Sequence, residues 1–150
     1  MPKLLVAALG LIMLAGCSAG PTPVSVPSPA PEVAAACTQL VKALPEKVLD
    51  AKRRKTSPES PLTTAYGDPP IEVTCGVSPP AGMAEAQSQC FEVNGVGWFA
   101  EEADGGYLFT TIGRSAYVQV GVPTEYAPEA NALVDVAEAV KKTPEIQPCV

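Results

Sequence analysis

The sequence contains no histidine. Histidine is the side chain most used for acid–base catalysis near neutral pH and the commonest metal ligand. Its absence removes many familiar kinds of enzyme, and we expect no enzymatic activity, no metal and no cofactor. Basic residues are also few, with 10 Lys and Arg against 16 Asp and Glu. Because binding to nucleic acid requires clustered cations, we expect no nucleic-acid partner.

A long apolar run is also missing at the N-terminus. The run from Leu4 to Leu14 covers 11 residues, whereas a membrane-spanning helix needs roughly 20. It follows Lys3 and precedes Leu14-Ala15-Gly16-Cys17, an arrangement typical of a secretory signal peptide. These last four residues resemble the lipobox of bacterial lipoproteins, in which the cysteine receives a diacylglycerol and becomes the first residue after cleavage. We therefore predict a cleaved signal peptide over residues 1–16.

The resemblance implies that Cys17 anchors the protein by a lipid at the extracytoplasmic face of the cell membrane. The alternative is an ordinary signal peptide with a free cysteine near its end. Residues 17–35 then form a tether, because five prolines alternate there with small residues, at positions 21, 23, 27, 29 and 31. Such a segment favours an extended polyproline conformation, or serves as a ligand for a proline-recognition domain. The folded domain is expected over residues 36–150.

Hydrophobic periodicity predicts the elements of this domain. Apolar residues at helical spacing indicate a helix around Cys37–Leu44 and another over Pro128–Lys142. Strict alternation indicates strands at Ile71–Cys75 and Ala116–Val122, and Asn94-Gly95 is a strong hairpin signal. The pattern predicts an α+β two-layer sandwich, with a mainly antiparallel sheet of four to five strands, an N-terminal helix and a C-terminal helix.

With Cys17 lipidated, four cysteines remain, and an exported domain is expected to pair them in two disulfides. Cys37 lies on the apolar stripe of the first helix and Cys75 on the apolar face of its strand, so we prefer Cys37–Cys75 with Cys90–Cys149. The open alternative is Cys75–Cys90 with Cys37–Cys149.

Three groups of side chains are candidates for a functional surface. The first is an aromatic face of Tyr107, Phe109 and Tyr117, predicted to lie opposite Leu108, Ile112, Val118 and Val120; the alternative is that a loop or the hairpin covers it. Arg114 is expected to be a solvent-exposed turn residue, or else to bind an anionic group. The second is the basic cluster at residues 52–55, expected to be a solvated loop, or else a contact for anionic lipid or wall polymer. The third is Glu101, Glu102 and Asp104, expected to be a solvated turn, or else the paired carboxylates of a hydrolase.

Five short motifs occur in one order along the chain: Ala-Tyr-Gly-Asp-Pro-Pro-Ile at 65–71, Cys-Gly-Val at 75–77, Val-Asn-Gly-Val-Gly-Trp at 93–98, Phe-Thr-Thr-Ile-Gly-Arg at 109–114 and Val-Pro at 122–123. As an ordered set, they resemble a family of small actinobacterial envelope lipoproteins and secreted proteins, the domain of unknown function thirty-five fifteen. Tyr66 departs from the tryptophan that this family often has. The resemblance implies an envelope location and a related fold, and it supplies no catalytic or binding residues.

Together these observations predict a membrane-anchored envelope lipoprotein. It acts as a binding or scaffold module for a partner protein or a wall component. The alternatives are a carrier or sensor of a small apolar ligand, held between helices and sheet, and a carboxylate-dependent hydrolase.

Overall fold

An antiparallel sheet of eight strands forms the centre of the molecule. The computed structural model describes residues 20–84 and 89–149, so the predicted signal peptide and Cys17 lie outside the described residues. In chain order the strands are β1 (Thr22–Pro23), β2 (Lys47–Val48), β3 (Ala51–Arg54), β4 (Thr56–Ser57), β5 (Thr63–Tyr66), β6 (Ile71–Cys75), β7 (Phe91–Val93), β8 (Val96–Ala103), β9 (Gly106–Thr111) and β10 (Val118–Pro123). The sheet order is β2-β3-β5-β6-β10-β9-β8-β7, and β1 and β4 form a separate parallel pair.

Two α-helices cover one face of this sheet. Helix α1 (Pro31–Ala43) begins with a proline, whose missing N–H costs nothing in the first helical turn. Helix α2 (Ala132–Val140) buries the apolar stripe that the sequence predicted, and short 3-10 turns at Thr124–Tyr126 and Glu129–Asn131 lead into it. Among the described residues, neither helix combines the length and the apolar character needed to cross a membrane. The α+β class, the mostly antiparallel sheet and the two helices are confirmed.

The predicted strands at the sheet centre are also present. Ile71, Val73 and Cys75 are fully buried and alternate with half-buried polar residues, as a strand with one covered face requires. Asn94 and Gly95 both have positive φ, at 50° and 76°, and join β7 to β8. This is the conformation that favours an Asn-Gly hairpin.

The sheet is larger than the four to five strands predicted. The additional strands β2, β3 and β5 lie within residues 47–66 and are only two to four residues long. Strand β3 contains the basic cluster, so the solvated loop predicted there is wrong for Lys52 to Arg54. Strand β5 is buried at all four positions, so it has no alternating pattern. Strands this short, without alternation of apolar and polar residues, are not detected from hydrophobic periodicity.

The N-terminal segment, residues 20–30, lies against the domain and does not extend away from it. The Thr22 N–H donates to the carbonyl oxygen of Lys55 (2.9 Å), and the Val24 N–H donates to that of Ser57 (3.0 Å). Thr22 and Val24 alternate with prolines, so their N–H groups are the ones available for pairing with β4. The predicted tether over residues 17–35 is therefore wrong from Gly20 onward, and the boundary at residue 36 is too late.

The core fills the space between helices and sheet. Its largest fully buried side chains include Leu40, Tyr66, Trp98 and Leu133. The Cys37–Cys75 disulfide joins α1 to β6 inside this core, and Cys90–Cys149 joins the residue before β7 to the C-terminal segment. These are the two pairs that the sequence analysis preferred.

Candidate functional site

Within residues 20–84 and 89–149, no α-helix lies on the second face of the sheet, and this face is only partly covered. Pro23–Pro27 of the N-terminal segment lies over β6, while a 3-10 turn at Ala81–Ala84 places Met83 against Phe99 of β8. Beside Pro23–Pro27 lies a hollow of about 610 Å³, which we call the polar groove. It is lined by Pro23, Val24, Ser25, Val26, Pro27, Ser57, Glu72, Thr74, Val77, Ser78 and Gln119.

The floor of the polar groove is set by strand register. Gln119 of β10 lies opposite Thr74 of β6 and opposite Thr110 of β9, whose hydroxyl accepts a hydrogen bond from Gln119 Nε2 (3.3 Å). Glu72 lies opposite Gly121, and both residues also line a smaller neighbouring hollow of about 200 Å³. Side chains at these positions point away from the helices because they alternate with the buried valines.

Glu72 is the only carboxylate among the described residues that line the polar groove. Partial burial raises its pKa above the usual range of a glutamate. The floor thus offers a carboxyl group, an amide and hydroxyls, while Val24, Val26 and the prolines give an apolar wall. This set can hydrogen-bond a polar ligand, but a lone carboxylate supplies no acid–base pair of the kind that glycoside cleavage uses.

A second hollow, the basic cavity, has a volume of about 500 Å³ and lies between α1 and the β3–β5 edge. Its charged lining residues are Lys42, Arg53, Arg54, Lys55 and Glu59, and its hydroxyl groups include those of Thr38, Ser60, Thr63 and Thr64. Arg53 is held in place because Nε donates to Thr64 Oγ1 (3.0 Å) and Nη2 donates to the carbonyl oxygen of Val41. Such an arrangement suits an anion.

The predicted aromatic face does not form. Phe109 pairs with Val120 on the helix-covered face, is only 4% exposed, and stacks on Tyr107 with ring centroids 5.9 Å apart. Leu108 instead points to the helix-free face, opposite Gly121. Between positions 107 and 112, apolar residues occur at both odd and even positions. The sequence therefore could not show whether the odd or the even residues face the helices.

Tyr117, the third aromatic residue predicted for that face, also has a different position. Tyr117 is half-buried beside Ile112 in the small cluster around Met83 and Phe99. It therefore lies on the opposite side of the sheet from Phe109, and these side chains make no common surface.

Arg114 is a buried structural cation. Its Nε and Nη2 donate to the carbonyl oxygen of Thr143 (3.1 and 2.6 Å), Nε also approaches Thr143 Oγ1 (3.0 Å), and Nη1 lies 3.6 Å from Glu145. Burial lowers its pKa, which Glu145 partly restores. Arg114 thus fixes the chain that follows α2 to the turn after β9 and does not present its charge to a ligand.

Glu101 and Glu102 of the β8–β9 hairpin do not converge, and Asp104 is exposed in the turn between the two strands. Glu101 pairs with Leu108 and Glu102 with Tyr107, so their side chains point to opposite faces of the sheet. No group of three or more potential metal-ligating side chains occurs in the part of the chain that the structure describes.

Comparison with known proteins gives a family and no activity. The family described as "Protein of unknown function (DUF3515)" matches residues 3–149. The chain belongs to this family. Neither a curated protein nor a solved structure matches it.

Sequence reasoning missed the polar groove and the basic cavity. The polar positions of β6 and β10 were visible as the residues between the buried ones, so Glu72, Thr74 and Gln119 had a detectable signal. The wall formed by the N-terminal segment had none, because a proline-rich segment gives no indication of which strand it will contact.

Proposed function

We propose that the protein is a non-enzymatic binding module, anchored through a lipid on Cys17 at the extracytoplasmic face of the cell membrane, and that the polar groove binds a hydroxyl-rich wall polymer. The observation that carries the binding proposal is the groove floor, where Glu72, Thr74 and Gln119 face a hollow of about 610 Å³. The two disulfides support an oxidising, extracytoplasmic location.

The chemistry of the groove favours a polysaccharide over a small apolar ligand. Sugar hydroxyls can donate to the Glu72 carboxyl group and exchange hydrogen bonds with the Gln119 amide and the Thr74 hydroxyl. The apolar wall of Val24 and Val26 suits the C–H faces of sugar rings. The alternative of an apolar ligand between helices and sheet gains no support, because Leu40, Tyr66, Trp98 and Leu133 fill that space.

Sedimentation with purified, insoluble cell wall tests the groove. The Gln119→Ala variant removes an amide from the floor, and loss of one or two hydrogen bonds weakens binding by about fivefold to tenfold. Gln39→Ala is the matched control, because Gln39 is exposed on α1 and its loss leaves the groove intact. Equal binding by the two variants and the unmodified chain would remove the polymer from the proposal. Capture of a discrete protein that depends on Gln119 would instead identify a protein partner.

The anchor is tested separately by mass spectrometry and fractionation. The intact chain is expected to start at Cys17, to carry a diacylglycerol mass and to fractionate with membranes, since two acyl chains bind a bilayer firmly where one does not. The Cys17→Ala variant is expected to lose both the lipid and the processing. A Cys17→Ala protein that is still processed and still fully membrane-bound contradicts lipid anchoring.

A further inference from the structure

The basic cavity lies beside the point where the described chain begins. Arg54 Nη2 donates to the carbonyl oxygen of Gly20 (2.7 Å), and the Thr22 N–H donates to that of Lys55 (2.9 Å). Gly20 is three residues after Cys17, and three extended residues span at most about 11 Å. A lipid on Cys17 therefore holds the membrane surface close to Arg54 and Lys55.

Basic charge is concentrated at this same place. Six of the 10 Lys and Arg residues fall within residues 42–55, in a chain whose net charge is −6. Lys42, Arg53, Arg54 and Lys55 line the cavity, where the only carboxylate among the described lining residues is Glu59. Two further lysines are exposed on the adjacent β2–β3 hairpin, where they pair in register: Lys47 and Lys52.

The cations of the cavity differ in how firmly they are held. Arg54 is bound to the carbonyl oxygens of Gly67 (2.6 Å) and Gly20 and lies 3.7 Å from Asp68, so much of its charge is satisfied within the protein. Lys42 is exposed, and Lys55 forms a solvent-exposed ion pair with Glu59 at 3.8 Å, a kind of pair that contributes little. These two lysines are therefore available to an external anion.

The geometry points to binding of anionic phospholipid headgroups in the basic cavity, so that the domain lies against the membrane that carries its anchor. This inference rests on the proposed anchoring through Cys17. Arg53, fixed between α1 and β5, supplies a positioned guanidinium, and Lys42 and Lys55 supply mobile charge at the rim. A lipid chain combined with a basic patch binds anionic membranes far more stably than either alone.

Vesicle sedimentation tests the cavity without the anchor. The chain from Ser18 to Val150 carries every described residue of the fold and lacks Cys17. It is expected to sediment with vesicles of phosphatidylcholine and phosphatidylglycerol, to remain in solution with phosphatidylcholine alone, and to dissociate as salt is raised. The double variant Lys42→Gln/Lys55→Gln is expected to bind about 25-fold more weakly, at about fivefold for each lysine lost near the surface.

The matched control is Lys141→Gln/Lys142→Gln. It removes the same charge at the end of α2, where Lys141 lies beside Gly95 at the opposite edge of the sheet. This control is expected to change binding by less than about twofold. Equal weakening by both double variants would show a non-specific charge effect and overturn the inference.

A second arm separates a membrane from a soluble anion. Glycerol phosphate, titrated into the same chain and followed by amide NMR shifts of residues 38–64, is expected to bind far more weakly than vesicles. Tight binding of glycerol phosphate without vesicle binding overturns the membrane assignment. The vesicle assay does not depend on whether Cys17 carries a lipid. A Cys17 found without lipid would remove the proposed anchor, whereas a failed vesicle assay would remove only the headgroup site.

Discussion

Two helices and a disulfide cover one face of the eight-stranded sheet, whereas, of the residues that the structure describes, an extended segment and a 3-10 turn cover only part of the other. The covered face carries fully buried apolar side chains such as Leu133 and Trp98. The open face carries Glu72, Thr74 and Gln119 in a hollow. One face therefore provides most of the stability, and the other leaves polar groups available for binding. Substitutions on the two faces should therefore change the free energy of unfolding by different amounts and with a different dependence on pH.

The largest difference is expected for leucine truncations. Leu133 is fully buried under the covered face, and its replacement by alanine should lower the free energy of unfolding by about 3 kcal/mol, because it leaves a cavity. Leu108 on the open face is half-buried, and Leu108→Ala should cost about 1 kcal/mol or less. Denaturant unfolding of the two variants measures both values. Similar losses would mean that the open face is as tightly packed as the covered one.

A smaller effect is expected at Tyr66 on the covered face. Its hydroxyl donates to the carbonyl oxygen of Pro45 (2.9 Å), so Tyr66→Phe should cost about 1 kcal/mol at neutral pH. Burial raises the pKa of Tyr66 to about 12, from 10.0 for a free tyrosine. The folded state therefore holds its proton longer than the unfolded state, and the unmodified protein loses stability as the pH rises from 10.0 toward about 12.

Unfolding measured across this alkaline range provides the check. The Tyr66→Phe variant lacks the titrating group, so the stability difference between it and the unmodified protein should shrink as the pH rises. A difference that stays constant would show that the Tyr66 hydroxyl has the same pKa in both states.

The smallest effect is expected at Glu72 on the open face. Its raised pKa means that the folded state binds the proton more tightly than the unfolded state, so stability falls as the pH rises through the pKa of the unfolded and then of the folded group. Glu72→Gln should consequently be slightly more stable than the unmodified protein at neutral pH and equal to it in acid. Thermal unfolding at both pH values measures this. A larger stability advantage of Glu72→Gln over the unmodified protein in acid than at neutral pH would reverse the assigned sign.

The sequence was informative where one period dominated a segment. Ile71, Val73 and Cys75 alternated cleanly with polar residues, and the stripe of α2 recurred at helical spacing. The preferred disulfide pairing followed from the same reasoning about faces, since Cys37 and Cys75 share the core.

The sequence was least informative where the structure depends on contacts between distant residues. Strand β5 is buried on both faces, so its sequence does not alternate between apolar and polar residues. Without that alternation, nothing in the sequence indicated a strand at Thr63 and Thr64. Arg114 looked like a solvent-exposed turn residue because Thr143, its partner, is 29 positions away. The polar groove needs the N-terminal segment in place, and the pairing of that segment with β4 is set by tertiary structure.

The position of the N-terminal segment is the central claim, because this segment forms one wall of the polar groove and is bonded through Gly20 to Arg54 of the basic cavity, which would bring the proposed lipid on Cys17 close to that cavity. Amide hydrogen exchange measures it directly at Thr22 and Val24, whose N–H groups are bonded to the carbonyl oxygens of Lys55 and Ser57. Both amides are expected to exchange far more slowly than those of an unstructured chain. Exchange of both amides at the rate of a free peptide, in a chain whose β6 and β10 amides remain protected, would contradict the account.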